Sequence, residues 1–438
     1  MLWFRLTQGQ FRRSLRLRLI TCAAIAIACF GRLCNGSDPT DAEKQFEALS
    51  ARYRADNDRV WADLEKISDA AARSRLFQER HPGNSMIGDF LKFEEAHRGT
   101  LLGLSALHHL VSVAGGNGFA TEFSASDGGR QAMKILAAHY INHPDLDVLF
   151  FSIGSGGDDA KLLLRRAMAS AVRNIRGTAT LKLAEILKAE SQVPARLDSV
   201  LELLAAEPVK YTDRIKTNTS LRQHWTADPE TSRQEALRML DQVEQQYADV
   251  LEAPRTTYGP IVLQIDRSAE DALTHKRRRT LAERADSIRF ELTSLSIGQP
   301  APEIAGPDAF TQELKLSDHR GKVTVVMFSF KGCGPCEAMY PSNRKLVETY
   351  RDRPFAFLGV MGDDELTTVK ESVNTGTITW PVWWDGGRPG PISSRWNVVG
   401  WPDIYVLDHK GVIRYCELTS DLLELAVARL VADIERPR

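Results

Sequence analysis

The chain has 438 residues, 43% of them apolar and 26% charged, with 56 Lys and Arg against 57 Asp and Glu. This is about three times the ~150 residues of a common domain, so more than one folded unit is expected and wholesale disorder is excluded. A net charge of -1 and six cysteines argue against a strongly basic nucleic-acid binder and against a disulfide-dense scaffold, and no apolar run approaches the ~20 residues of a membrane-spanning helix.

Residues 1–36 read as a leader. They carry Arg5, Arg12, Arg13, Arg16, Arg18 and Arg32 and no acid. Leu19 to Phe30 form a short apolar core held between Arg18 and Arg32. A basic segment, a short apolar core and a small residue before the cut describe a secretory signal peptide. Cleavage is expected near Gly36, with Ala28 as the alternative site. Cys29 offers a lipid attachment point, but Ala26-Ile27-Ala28 is a weak lipobox. Arg12-Arg13 is read as part of the basic segment rather than as a twin-arginine signal. The expectation is export, to a bacterial periplasm, in preference to anchoring through the leader. Six of the 56 basic residues leave with it, so the mature chain carries 50 against 57, a net charge of -7. Cys22, Cys29 and Cys34 leave as well.

Residues 37–295 read as a mostly α-helical interaction or spacer domain. Ala236, Leu240, Val243, Tyr247 and Leu251 recur every three or four positions, which paints one face of a helix. Leu183, Ile186 and Leu187 do the same. Breakers fall at His81-Pro82-Gly83, Gly115-Gly116-Asn117-Gly118, His143-Pro144 and Gly154-Ser155-Gly156-Gly157. The two His-Pro pairs, 62 residues apart, hint at helical-hairpin repeats. His108 and His109 are adjacent and no HExxH follows, so packing is expected rather than metal binding. Gly154 to Gly157 lacks the Gly-Lys-Ser/Thr end of a phosphate loop and reads as a turn capped by Asp158. The basic run Lys276-Arg277-Arg278-Arg279 is expected on a solvated helix with Glu270, Asp271, Glu283 and Asp286. No catalytic constellation stands out here, so this half is expected to bind an unidentified protein partner.

The pattern changes near Ser296, and residues 296–438 read as an α/β layer. Val323 to Phe330 is a continuous apolar run, as in a strand buried on both faces. Cys333-Gly334-Pro335-Cys336 follows, then a helix to Tyr350. Phe355 to Val360 is a second buried strand, Leu366 to Thr375 a helix and Thr379 to Trp384 a short strand. Ile404 to Leu407 and Val412 to Cys416 flank the turn Asp408-His409-Lys410-Gly411 as a hairpin, and Leu422 to Ile434 closes as a helix. A CxxC between strand and helix places the first cysteine at the helix N-terminus, where free N–H groups and the macrodipole stabilise a thiolate. Cys333 is expected to be the exposed nucleophile, and Cys336 to resolve the mixed disulfide. Gly334 and Pro335 keep the loop tight and start the helix.

This segment resembles the thioredoxin superfamily, and most closely its exported TlpA-like thiol-disulfide oxidoreductases. The likeness rests on Cys333-Gly334-Pro335-Cys336, on Pro341 five residues beyond, and on Gly400-Trp401-Pro402 before a strand. It also rests on Gly298-Gln299-Pro300-Ala301-Pro302 with Leu316-Ser317-Asp318-His319-Arg320-Gly321-Lys322. It covers about 140 residues of the chain. The resemblance implies that Pro402 is cis, sits against the cysteines and keeps metal off them. It implies that the backbone of Trp401 pairs with a bound peptide, with Gly334 and Pro335 lining the same surface. It implies an acid that handles the Cys336 proton, for which Asp363 is the choice and Asp364 the alternative. No cofactor beyond the Cys333–Cys336 disulfide and no metal are implied. Protein thiols and disulfides are the implied substrates, a membrane thiol transporter the electron donor, and apocytochrome c reduction one role. Gly-Pro between the cysteines suggests a reducing couple near roughly -270 mV.

Two departures stand out. Met327 occupies the position, six before the first cysteine, where the family commonly has a polar residue, and Gly332 replaces the usual aromatic. Lys331 is a candidate to lower the Cys333 pKa. Peroxiredoxin chemistry needs Pro-x-x-x-Thr-x-x-Cys, and those positions hold Val326 and Phe330. Zinc would need a second ligand pair, for which only His409 and Cys416 are near in sequence. Cys416, the odd thiol, reads as buried or at an edge. The competing reading is a partner-binding helical protein whose thioredoxin-like domain mainly docks it.

Overall fold

The computed structural model describes residues 40–114, 127–153, 157–254, 265, 267–268, 277–418 and 420–436. The leader, Gly115–Gly118, Gly154–Gly156 and Lys276 lie outside these residues, as do Glu270 and Asp271. Among the described residues no helix is long and apolar enough to cross a membrane. The chain divides into two compact units. One holds residues 39–194 and 220–289, the other residues 195–219 and 290–438. The sequence reading puts its boundary at 295/296, whereas residues 195–219 and 290–295 belong to the same compact unit as the C-terminal domain. For residues 195–219 the sequence gives no local cue, because the ion pairs joining them to the rest span more than 200 positions.

The first unit is helical. It contains α1 (Asp41–Leu64), α2 (Ala70–Arg80), α3 (Pro82–Ser85), α4 (Ile87–Ala96), α5 (Leu101–Ala114), α6 (Asp127–His139) and α7 (Gly157–Ala167). It also holds most of α8 (Arg173–Leu204), the end of α9 (Thr212–His224), α10 (Pro229–Gln246) and most of α11 (Leu281–Ser294). Thr40 and Glu43 form a reciprocal capping box that starts α1. Leu181 and Ala184 pack with Leu240, Val243, Leu281 and Ile288 in one core cluster, so the periodic stripe of α10 does face inward. That helix ends at Gln246, with Tyr247 as its cap. His108 is buried and lies 3.2 Å from Ser152 Oγ and 3.1 Å from Ser112 Oγ. His109 stacks on Phe90, with ring centroids 5.1 Å apart.

The basic run departs from expectation. Arg277 to Arg279 precede α11 and are not helical. Arg278 is buried and donates to the carbonyls of Glu252 and Ser268, while Arg279 pairs with Glu252. The helix begins only after Thr280, whose hydroxyl accepts from the Glu283 N–H while Glu283 accepts from the Thr280 N–H. That box fixes the helix start and leaves the arginines extended.

The second unit is built on a five-stranded mixed sheet. Its strands are β3 (Val323–Ser329), β4 (Phe355–Met361), β5 (Val382–Trp384), β6 (Asp403–Leu407) and β7 (Ile413–Cys416), in the order β5-β4-β3-β6-β7. A separate short hairpin, β1 (Ala305–Pro307) with β2 (Glu313–Lys315), precedes it. β3 is central, parallel to β4 and antiparallel to β6. Every residue of β3 is buried, as expected for a strand covered on both faces. Val323, Val325 and Met327 face one core cluster and Val326 and Phe328 the other, the two-residue alternation of a strand.

The first cluster is closed by α12 (Gly334–Thr349) and α15 (Ser420–Glu435), which buries Leu422, Leu423, Ala426, Val427, Leu430 and Val431. Leu203, Leu204 and Tyr211 from the 195–219 segment join that cluster. Burial of such a side chain contributes roughly 1.5–3 kcal/mol. Arg196 pairs with Glu417, Arg214 with Asp421 and Glu202 with Arg429 around its edge. The remaining helices are α13 (Leu366–Asn374) and the short α14 (Pro391–Arg395). The β6–β7 turn forms where expected: Asp408 Oδ1 accepts from the Lys410 and Val412 N–H groups, and Gly411 takes a positive φ of 75°.

Candidate functional site

Where β3 ends, Phe330, Lys331 and Gly332 carry the chain off the sheet into α12. Gly332 makes the turn with a φ of 89°, a conformation open to glycine. Cys333 is the N-cap of α12, and its Sγ accepts the Cys336 N–H at 3.2 Å. Pro335 lies in the first turn, where a missing N–H costs nothing. Cys333 and Cys336 form a disulfide with Cα atoms 5.2 Å apart. Cys333 is 5% exposed and Cys336 0%, so Cys333 is recessed where an exposed thiol is expected. It packs in the same apolar cluster as Met327, Met339 and Ile404. The accessible surface of the pair still belongs to Cys333 and not to Cys336, while Gly334 beside it is exposed.

The sheet order brings the third strand's end beside the start of β6. Phe328 pairs with Asp403, which places Pro402 alongside the segment leading to Cys333. The Trp401–Pro402 bond is cis. The ring of Trp401 meets that of Phe330 edge-on at 5.8 Å, and Val399 is 78% exposed on the same loop. Phe330 and Trp401 both pack against the apolar cluster that holds the two cysteines.

The acid follows β4. Asp363 is buried, and its Oδ1 accepts the Lys331 N–H at 3.0 Å. Its carbonyl accepts the Trp384 indole N–H at 2.7 Å. Its Oδ2 is fully enclosed and has no hydrogen-bond partner among the described residues. Burial pushes the Asp363 pKa up, opposed by the Lys331 N–H and by the charges of Arg388 and Lys331. Asp364, by contrast, is exposed and lies 3.7 Å from Arg388. The Lys331 ammonium is engaged with Glu371 at 2.9 Å, which neutralises part of the charge expected to act on Cys333.

Behind the cysteines, Met327 Sδ accepts from the amide of buried Asn343 at 3.3 Å. Tyr340 donates to Ser329 Oγ at 3.2 Å, and burial pushes its pKa up to about 12. Cys416 is a free thiol at the end of β7, pushed up to about 12 by burial. Among the described residues no cluster of His, Cys, Asp and Glu is arranged to hold a metal. Trp384, Asn343 and Arg388 also belong to this neighbourhood. No motif marks them in the sequence; strand order alone delivers them.

Residues 297–416 match the AhpC/TSA family. The chain is 29% identical over 125 residues to the thiol-disulfide oxidoreductase ResA of Geobacillus kaustophilus, covering 28% of this chain and 70% of that protein. It is 30% identical over 120 residues to the thioredoxin-like protein YneN of Bacillus subtilis, covering 27% of this chain and 68% of the relative. Peroxiredoxin-2 of Macaca fascicularis is 30% identical over 136 residues, covering 27% and 67% respectively. The positions a peroxiredoxin would need for Pro and Thr hold Val326, buried in β3, and Phe330. With a dithiol at a helix N-cap beside a cis-proline loop, the chain belongs, through its C-terminal third, to the thioredoxin-like thiol-disulfide oxidoreductases.

Proposed function

We propose that this protein is an exported oxidoreductase that exchanges electrons with protein disulfides through Cys333 and Cys336. The observation that carries the reading is the Cys333–Cys336 disulfide at the N-cap of α12, with Phe330 and Trp401 packed against the apolar cluster that holds it. In the reduced protein, the Cys333 thiolate attacks one sulfur of a substrate disulfide and expels the other as a thiolate. The helix N-terminus favours the Cys333 anion. Asp363 takes the Cys336 proton, and the Cys336 thiolate then attacks Cys333. The internal disulfide forms, the substrate leaves as its second thiolate, and the two substrate thiolates take up protons from Asp363 and water. The enclosed Oδ2 of Asp363 is the atom we assign to that proton, since a buried carboxylate oxygen without a partner is a ready acceptor.

Trp401 offers its backbone to an extended peptide, and Gly334 and Pro335 leave room for it. The leader composition supports export, and reducing work in an oxidising compartment requires a membrane electron donor. The helical unit supplies a surface for a protein partner. The reaction itself needs no cofactor beyond the dithiol.

The test is reduction of insulin disulfides by the reduced full-length protein, with Cys333→Ser and Cys336→Ala alongside. Wild type should precipitate insulin chains, Cys333→Ser should not, and Cys336→Ala should accumulate a mixed disulfide. Intact insulin with wild type, together with Cys333 alkylating no faster than Cys416, would leave only a docking role for this domain.

A further inference from the structure

The loop 385–390 is built with unusual care for a surface segment. Asp385 is buried, its Oδ1 accepts the Ile392 N–H at 2.6 Å and its Oδ2 the Ser393 N–H at 2.8 Å. Gly386 and Gly387 take positive φ values of 72° and 131°, which side chains resist. These features deliver one side chain, Arg388, to the edge of the dithiol site. Its stem lies over Gly362, where an added Cβ would come within 2.9 Å of Arg388 Cγ. Its guanidinium carbon stands 3.9 Å from the Phe330 ring centroid, three residues ahead of Cys333, and Phe330 in turn supports Trp401. Its Nη2 is 3.7 Å from Asp364, and its charge also acts on Asp363. One side chain therefore touches or faces the loops that carry the nucleophile and the acid.

We propose that Arg388 is a positioning residue of the dithiol site, holding Asp363 in its ionised form so that it can take the Cys336 proton near neutral pH. This rests on the role of Asp363 given above. The groups that act on Asp363 are Lys331 before α12, Asp364 in its own loop, and Arg388; on α12, Tyr340 feels the charge of Asp363, and Glu337 acts on both Lys331 and Tyr340. Glu337 is committed to the Gly332 N–H at 2.7 Å and Lys331 to Glu371 at 2.9 Å. Arg388 stacks on an aromatic face, which lowers the hydration of its charge and strengthens its field on a buried carboxyl. The carboxyl it opposes is one that burial drives toward the neutral form.

The experiment is the pH profile, from pH 5 to 9, of the resolution step alone, read in stopped flow as release of the second thiolate after the reduced full-length protein has attacked an aromatic disulfide, so that ionisation of Cys333 does not contribute, for wild type, Arg388→Met, Arg388→Lys, Asp363→Asn and the Arg388→Met/Asp363→Asn double variant. Arg388→Met should move the acid limb up by about half a pH unit, roughly a threefold rate loss on that limb, while Arg388→Lys restores most of it. Asp363→Asn should remove the limb, and adding Arg388→Met should then change nothing further. A wild-type profile for Arg388→Met, with the limb lost in Asp363→Asn, overturns the Arg388 proposal alone. An acid limb that survives in Asp363→Asn overturns the Asp363 reading and this one with it. An equal shift by Arg388→Met in the Asp363→Asn background also overturns it. The circular dichroism of each variant separates misfolding from a changed profile, and rescue by Lys is the outcome a merely structural role would not give.

Discussion

Asp403 offers a direct test of the electrostatics of the sheet. It opens β6 one residue after Pro402 and pairs with Phe328. Burial pushes its pKa up to about 7, aided by the negative charge of Glu417 and tempered by hydrogen bonding to the Ile404 backbone. The folded state therefore holds a proton that the unfolded chain releases near pH 4. Below pH 4 both states are protonated and the group is neutral in its effect. As pH rises from 4 to 7 the unfolded state gains, and the folded protein loses about 1.4 kcal/mol per pH unit. Above 7 the loss levels off. Asp403→Asn keeps an acceptor oxygen and removes the ionisation. Its stability relative to wild type should rise by about 2–3 kcal/mol between pH 5 and pH 8. Urea unfolding followed by tryptophan fluorescence reads this unit selectively, since Trp380, Trp383, Trp384, Trp396 and Trp401 are five of the eight tryptophans. A difference between variant and wild type that stays constant from pH 5 to pH 8 would show that the carboxyl is solvated and the reasoning wrong.

The helical unit should respond to pH with the opposite sign. Burial lowers His81, His108 and His109 to about 4, so the stability they confer is full above the unfolded pKa of about 6.5 and is lost as pH falls toward 4, by about 1.4 kcal/mol per unit for each. Hydrogen exchange resolved by peptide, corrected for intrinsic rates, should show α3 and α5 loosening at pH 5 while the β6 region tightens; parallel behaviour in both regions would contradict this. Cys416, with a pKa near 12, should alkylate about a thousandfold more slowly at pH 8 in the folded protein than in urea, read by mass spectrometry of its peptide. Asp385→Ala removes the acceptor for two backbone N–H groups and should cost about 2–4 kcal/mol in the same urea assay; a loss under 0.5 kcal/mol would mean that water replaces it.

The parts of this fold that speak from the sequence are those fixed by near neighbours. Val323 to Phe330 reads as a buried strand because eight consecutive residues avoid charge, and the strand ends one residue earlier, at Ser329. The Asp408–Gly411 turn and the Cys333 cap are each settled within four residues. Thr280 and Glu283 also carry a readable signal, which ends the basic run before α11 and corrects the helical reading of Arg277 to Arg279. The strand expected over Thr379–Trp384 shrinks to Val382–Trp384, because pairing with β4 begins only at Val382. Other features depend on distant partners. Cys333 is recessed in the cluster that also holds Ile404, Met327 and Met339, which sequence spacing does not reveal. Arg388 matters only because β5 lies beside β4, bringing the loops after both strands together. β1 and β2 have three residues each with exposed edges, too short for any periodicity. Residues 195–219 look like any other mostly helical, polar segment until α15 is present to receive Leu203, Leu204 and Tyr211.

That last pairing has a consequence for how the protein is made. Leu203, Leu204 and Tyr211 leave the ribosome more than 200 residues ahead of α15, the surface that covers them. At about 5–20 residues per second, the segment waits on the order of ten to forty seconds with its apolar face unclaimed. The helical segments on either side of it can meanwhile close around their own core. The nascent chain thus carries a sticky side branch through nearly half of its synthesis, and a chaperone that shields this stretch would serve it better than one acting on the finished redox domain. A fragment begun at residue 296 would suffer the reverse fault permanently, with α15 finished and its cover missing.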